Sequence, residues 1–369
     1  MKIAEVITDT VVGGAEKQVL SLVSGLAGEF EFKVYYPEQS AVAPLVRALP
    51  VESQALSLSH PEKPTLADTF LFREVFRREM PDAVHTHAGL SARIGARLSG
   101  VPLTISTRHC AYGANNPRPA VPLRGALYNA VTTLTVSTAK AATEDLRAEG
   151  VDMRRVVTVQ NGVAFPGRLP YTEKSRLLSS LGFPENCFVI GGCGRLEDIK
   201  GFDILLRAGA AVAPRCPEMR FLIVGDGTKR RALETQAEAA GIAPICRFVG
   251  FLEDPAPYEN LFSVNVNPSR GTETSCLVTS ECMALGIPTL ASDFGGNPEM
   301  VENGVNGYLF PSGNAAALAD LLVLLYTNRP LLRLLSHSSM QTYRRRFSRR
   351  RMLSDYRRIF DKLAGRLPS

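Results

Sequence analysis

The chain has 369 residues, 45% apolar and 21% charged, which is too long for one typical core and suits two α/β domains of a soluble protein. Its net charge of +6 would admit nucleic acid as a partner, but residues 343–369 hold ten Lys or Arg against two Asp, so everything before them sums to about −2. No aromatic residues interleave with the basic ones as in an RNA-reading sheet, and nucleic acid is set aside.

Lys2–Thr8 reads as a strand, and Ala15–Leu26 as a helix entered through a glycine turn. Phe32–Tyr36, Ala83–Thr86, Leu103–Thr107, Thr132–Val136 and Val156–Gln160 read as further strands with helical stretches between several of them. Ser137 is expected to N-cap a helix that Gly150 stops. Asn161-Gly162 closes the series, and the stretch through Pro166, Gly167 and Pro170 reads as a linker. The pattern then restarts with strands at Cys187–Cys193, Arg220–Val224, Arg247–Val249, Val264–Asn267, Thr289–Ala291 and Tyr308–Phe310. Helices are expected at Gly201–Val212, Lys229–Ala240, Leu277–Leu285 and Ala315–Tyr326, with a final helical segment from Arg349. Strands without long polar/apolar alternation, separated by helices, predict parallel sheets covered on both faces: two doubly wound α/β domains.

The seven cysteines are scattered and form no C-x-x-C pair, which predicts a reducing, cytoplasmic setting without disulfides or zinc knuckles. Glu5 and Asp9 lie where a signal peptide would be apolar, so the N-terminus is read as mature protein. The run Ala315–Tyr326 is too short to span a bilayer. The arginines 344, 345, 346, 349, 350 and 351 either solvate a helical face or draw the chain to anionic lipid at the inner face of the membrane, at about 1 kcal/mol per basic residue.

Open α/β sheets bind ligands beyond the carboxyl ends of their strands, so chemistry is sought there. Gly13-Gly14-Ala15-Glu16 follows the first strand and opens a helix, where bare backbone and free N–H groups suit an anion or form a tight turn. Gly194-Arg195-Leu196-Glu197-Asp198-Ile199-Lys200-Gly201 follows another strand, and its Arg195 and Lys200 can clamp a diphosphate. Glu273 and Glu281 stand eight apart, the first in a loop and the second in a helix, with the Ser275, Cys276 and Leu277 amides between them. Such carboxylates can accept hydrogen bonds from sugar or ribose hydroxyls. His85-x-His87 puts two imidazoles on one strand face, but without an evident third ligand no metal site is expected. Gly225-Asp226-Gly227 lacks the third glycine of a dinucleotide fingerprint, so that signal of a nicotinamide oxidoreductase fails.

The segment from Glu273 to Glu281, continued by Ala284-Leu285-Gly286-Ile287-Pro288 and Gly295-Gly296-Asn297-Pro298-Glu299, resembles the E-x7-E signature of retaining glycosyltransferase family 4, which has the GT-B fold. The likeness covers nearly the whole chain through Gly13–Glu16, Val84–His87, Thr107-Arg108-His109, Asn161-Gly162-Val163, Arg195 with Lys200, and Val224–Gly227. It implies two Rossmann-like domains facing across a cleft. The implied division is 1–165 on the acceptor side, 166–345 for the nucleotide sugar, and a basic helix at 346–369 packing back on the first. It further implies that Glu273 contacts the donor sugar, Glu281 the ribose, and Arg195 and Lys200 the departing diphosphate. Gly13, Gly14, Ser275, Cys276 and Leu277 complete the donor site, His109 contacts the sugar, and His87 lies on the acceptor side. The expected activity is metal-independent, cofactor-free transfer of a hexose or N-acetylhexosamine, from a UDP-sugar first and GDP-mannose second, to a lipid-linked or cell-surface polysaccharide. The absence of any D-x-D triplet also argues against a metal-dependent class. An epimerase or an inactive nucleotide-sugar binder of the same fold is the alternative. Two departures stand out: Thr274-Ser275-Cys276 replaces the usual Gly-Phe-Gly, and Ala164 stands where aspartate is common.

Overall fold

The computed structural model describes residues 1–60, 63–111 and 122–367, in two compact units: Met1–Gly162 with Arg349–Ser369, and Val163–Ser348. The first unit contains β1 (Lys2–Val6), β2 (Glu31–Pro37), β3 (Glu52–Leu56), β4 (Ala83–Thr86), β5 (Leu103–Arg108), β6 (Leu134–Ser137) and β7 (Val156–Thr158). They form one seven-stranded sheet in the order β3-β2-β1-β4-β5-β6-β7, with every pair parallel. Alternate residues enter opposite cores: Ile3, Val34 and Ile105 on one face, Ala4, Val6 and Val84 on the other. Both faces are dry, which is why these strands read as short apolar runs. The order reverses between β1 and β4, the kind of switch point at which open α/β sheets bind ligands beyond the carboxyl ends of their strands.

Two local expectations change. β3 carries Glu52, Ser53 and Gln54, pairs only with β2 at the sheet edge, and buries little but Leu56, so it has no apolar signature. Ser137 does not cap a helix: it ends β6, its Oγ donates to the Ala139 carbonyl at 2.6 Å, and Ala139 precedes the helix Lys140–Ala148.

The helix Arg349–Ala364 belongs to the first unit, although the chain reaches it last. Met352, Tyr356, Phe360 and Leu363 recur at helical spacing and share a core with Leu22, Leu26, Phe30 and Phe32. Phe360 meets Phe30 edge-on at 5.3 Å, and a Cβ at Gly25 would lie 2.4 Å from Leu353. Each such side chain, fully buried, stabilises by about 1.5–3 kcal/mol. Arg349 donates to the Ser21 carbonyl at 3.0 Å and to Ser24 Oγ at 2.8 Å, while Arg351 reaches the Gln160 carbonyl.

The second unit contains β8 (Phe188–Cys193), β9 (Met219–Val224), β10 (Cys246–Phe248), β11 (Val264–Asn267), β12 (Thr289–Ser292) and β13 (Gly307–Phe310). This six-stranded sheet runs β10-β9-β8-β11-β12-β13, again all parallel, and reverses between β8 and β11. Phe188, Ile190 and Phe221 pack under the helices Phe202–Val212 and Ala315–Thr327, while Val189 and Leu222 serve the opposite face. Asn328 ends the second of these helices and caps the helix Arg329–Thr342 by accepting from the Leu331 N–H at 3.0 Å. Among the described residues no single helix is long and apolar enough to cross a membrane.

Candidate active site

Both sheets place their chemistry at the strand-order reversal. In the second unit the loop after β8 carries Arg195 and Lys200, and the loop after β11 carries Glu273. Backbone N–H groups of Arg270 and Gly271 donate to the Ile199 carbonyl at 2.8 and 3.1 Å and tie the two loops together. Gly201 has a φ of 68°, and a Cβ there would lie 2.2 Å from the Pro268 carbonyl, so glycine is required where the helix Phe202–Val212 begins.

Lys200 Nζ donates to Glu273 Oε2 at 2.8 Å, and Ser269 Oγ donates to the same oxygen at 2.9 Å. Burial opposes the Lys200 charge, yet the Glu273 carboxylate holds the ammonium above its usual range. Glu273 Oε1 makes no hydrogen bond among the described residues. Arg195 is exposed and forms no ion pair among the described residues. The site therefore contains one cation already paired and one available for an anion.

The helix Leu277–Leu285 starts just after Glu273, and its N-cap Cys276 makes no side-chain cap hydrogen bond; the first amides of a helix have no acceptor within it and so suit an anion. Burial pushes the Cys276 thiol up to about 11, so it stays protonated. Ser275 Oγ is buried and meets no hydrogen-bond partner among the described residues, a cost that a ligand atom would offset. Glu281 lies in the second turn of this helix.

Gly295-Gly296 shapes the loop from outside. A Cβ at Gly295 would lie 2.5 Å from the Glu273 carbonyl, and one at Gly296 would lie 1.7 Å from that of Thr274. Gly225 and Gly227 are explained the same way: their Cβ atoms would strike the Gly194 and Leu196 carbonyls at 2.0 and 2.5 Å. They let the loop after β9 pass behind the Arg195 loop.

In the first unit, Gly13 N-caps the helix Gly14–Leu26, but the Gly13 N–H already donates to Glu16 Oε2 at 2.8 Å. His85 and His87 sit at the end of β4 and His109 just beyond β5. His87 Nδ1 lies 2.7 Å from His109 Nε2. His85 Nδ1 is 3.1 Å from Glu5 Oε2, and His87 Nε2 bonds Glu5 Oε1. Glu5, wholly buried on β1, is thus the third group that the His-x-His pattern lacked, and the three offer ligand atoms within 4.8 Å of one another. The sequence signal for it was an acid inside an otherwise apolar strand; Ser269 had no signal. Burial raises the Glu5 pKa, but the two imidazoles outweigh it and hold the carboxyl at about 2.

Of the six clustered arginines, Arg346 donates to the Glu299 carbonyl at 2.5 Å, and Arg349 and Arg351 are bonded as described above. Arg344, Arg345 and Arg350 are exposed.

This arrangement is recognisable. The family model described as Glycosyltransferase Family 4 matches residues 12–164, and that described as Glycosyl transferases group 1 matches residues 187–328. Similar curated relatives are the D-inositol 3-phosphate glycosyltransferases of Streptomyces scabiei and Thermobifida fusca, each 33% identical over 265 and 268 residues, respectively. Those alignments take in 65% of this chain and 59% and 60% of the relatives, so the chain spans about three fifths of their length. Among solved structures, HepE of Anabaena in complex with UDP has a TM-score of 0.85 at 20% identity, over 98% of this chain and 100% of that one. Sucrose-phosphate synthase of Thermosynechococcus elongatus gives 0.78 at 18% identity over 100% of both chains. The two parallel-sheet units are those of the GT-B fold, and the chain belongs to glycosyltransferase family 4.

Proposed function

We propose that the chain transfers a hexose or N-acetylhexosamine from a UDP-sugar with retention of configuration and without a metal ion. The observation that carries this reading is the Lys200–Glu273 pair beside a helix start without a side-chain cap, with Arg195 in no ion pair among the described residues. Breaking a bond between an anomeric carbon and a diphosphate builds negative charge on the leaving oxygens and positive character on the sugar. Arg195, Lys200 and the amides of Cys276 and Leu277 are preorganised for the first charge. Glu273, anchored through Oε2, offers Oε1 to a sugar hydroxyl. Glu281 takes the ribose, His109 the sugar, and no protein nucleophile is assigned. UDP is favoured as the carrier because HepE, of the same fold, is described with UDP and with UDP-glucose. GDP-mannose is the second candidate.

For the acceptor, a lipid-linked or cell-surface polysaccharide follows from the family resemblance. The names of the curated relatives favour a second reading, an inositol phosphate. A thermal-shift panel of UDP, GDP, UDP-glucose, UDP-N-acetylglucosamine and GDP-mannose tests the donor, because a ligand that binds only the native state raises its melting temperature. A shift with uridine compounds alone supports the proposal. A shift with none removes the donor site, and loss of transfer in EDTA that a divalent ion restores removes metal independence.

A further inference from the structure

We infer that Glu5 and His87 are positioning residues that fix the tautomer and orientation of His109 through a carboxylate–imidazole–imidazole chain; its purpose in transfer rests on the reading that His109 contacts the sugar.

The chain follows from counting donors. An ionised carboxylate only accepts, and Glu5 spends one oxygen on each histidine: Oε2 on His85 Nδ1 at 3.1 Å, and Oε1 on His87 Nε2. Both of those ring nitrogens must therefore carry hydrogen. Burial holds His87 below its ordinary pKa and His109 well below, so each ring is neutral with a single N–H. With its hydrogen on Nε2, His87 has a bare Nδ1. His109 Nε2, 2.7 Å away, must then be the donor, which makes Nδ1 the acceptor nitrogen of His109. That nitrogen suits a sugar hydroxyl as hydrogen-bond donor.

The other arm is hydrogen-bonded too: His85 Nε2 lies 2.8 Å from Thr107 Oγ1, which lies 3.3 Å from the Tyr356 hydroxyl oxygen. The His87 and His109 rings are stacked at 5.0 Å with 28° between their planes. Ala88, directly after His87, holds a φ of 104°, a conformation that a side chain rarely adopts and that here follows a fixed imidazole. Glu5, His85 and His87 also have the composition of a metal site, so a bound ion is the rival explanation. Against it, each of the three ligand groups already has a hydrogen-bond partner within the network.

The test is nitrogen-15 NMR of the histidine-labelled full chain, with the His109 signals assigned through His109→Gln. The wild type should show His109 as the Nε2–H tautomer. Glu5→Met removes both acceptors, and His109 should then populate both tautomers. UDP release from UDP-glucose should fall in kcat on the order of 10²-fold, with KM nearly unchanged, as expected for a misplaced group rather than a lost binding contact. An Nδ1–H tautomer in the wild type would overturn the inference with no variant needed. So would an unchanged His109 tautomer in Glu5→Met, or stoichiometric metal by mass spectrometry of the purified protein. A wild-type rate in His109→Gln instead overturns the sugar-contact reading, and with it the catalytic purpose of the chain.

Discussion

The two units put polar chemistry at the same topological place, beyond the strands that flank the reversal of order, and build it in opposite ways. In the first, Glu5, His85 and His87 are almost wholly buried and linked to Thr107, Tyr356 and His109 by hydrogen bonds. In the second, Arg195 is exposed, Lys200 is partly exposed, and a helix start lacks a side-chain cap. Topology says where a site lies; burial and saturation say what kind it is. A saturated network positions, whereas an unsatisfied one binds.

Three experiments can break or sharpen that contrast. The largest effect belongs to Glu273→Ala, which should lower turnover of UDP-glucose on the order of 10²–10³-fold with native circular dichroism retained. A wild-type rate would remove Glu273 from the site. Next come the two cations: Arg195→Ala and Lys200→Ala should each weaken UDP binding by about 1.5–3 kcal/mol in titration calorimetry. They should differ without ligand, because only Lys200→Ala strands a buried carboxylate and lowers Tm. Equal melting temperatures would erase the distinction between a paired cation and an available one.

The smallest effect is a difference in pH dependence. His87 and His109 have depressed pKa values, so their stability is complete above the unfolded value near 6.5 and is lost as pH falls. Glu5, at about 2 against 4.5 unfolded, adds a loss across that lower window. Lys200 is raised, so its contribution is complete below 10.5 and is lost as pH rises through its folded value. Hydrogen exchange should show the first unit loosening in acid and the second in alkali. The same order in both would mean that these networks do not set local stability.

Most strands and helices were legible because both sheets are buried on two faces and interrupted by amphipathic helices. The failures have local causes. β3 is a polar edge, and Ser137 spends its hydroxyl on the carbonyl two residues ahead. The helix Arg329–Thr342 follows its predecessor after the single residue Asn328, too short a break to register as a boundary. In the candidate site, Arg195, Lys200 and Glu273 could be read because they follow strands in glycine-marked loops. Glu5 could not, because its partners lie about 80 residues away on a neighbouring strand and no spacing rule reaches across a sheet register.

The return of the helix Arg349–Ala364 to the first unit has a consequence for biosynthesis. Val163–Ser348 is an insert spliced between two pieces of one domain, and Val163 and Ser348 lie side by side where the chain enters and leaves it. As the ribosome elongates, the inserted unit can complete its own core while the earlier one still waits for Met352, Tyr356 and Phe360. The domain begun first is finished last, and a premature stop codon near the end would leave it with an open apolar seam.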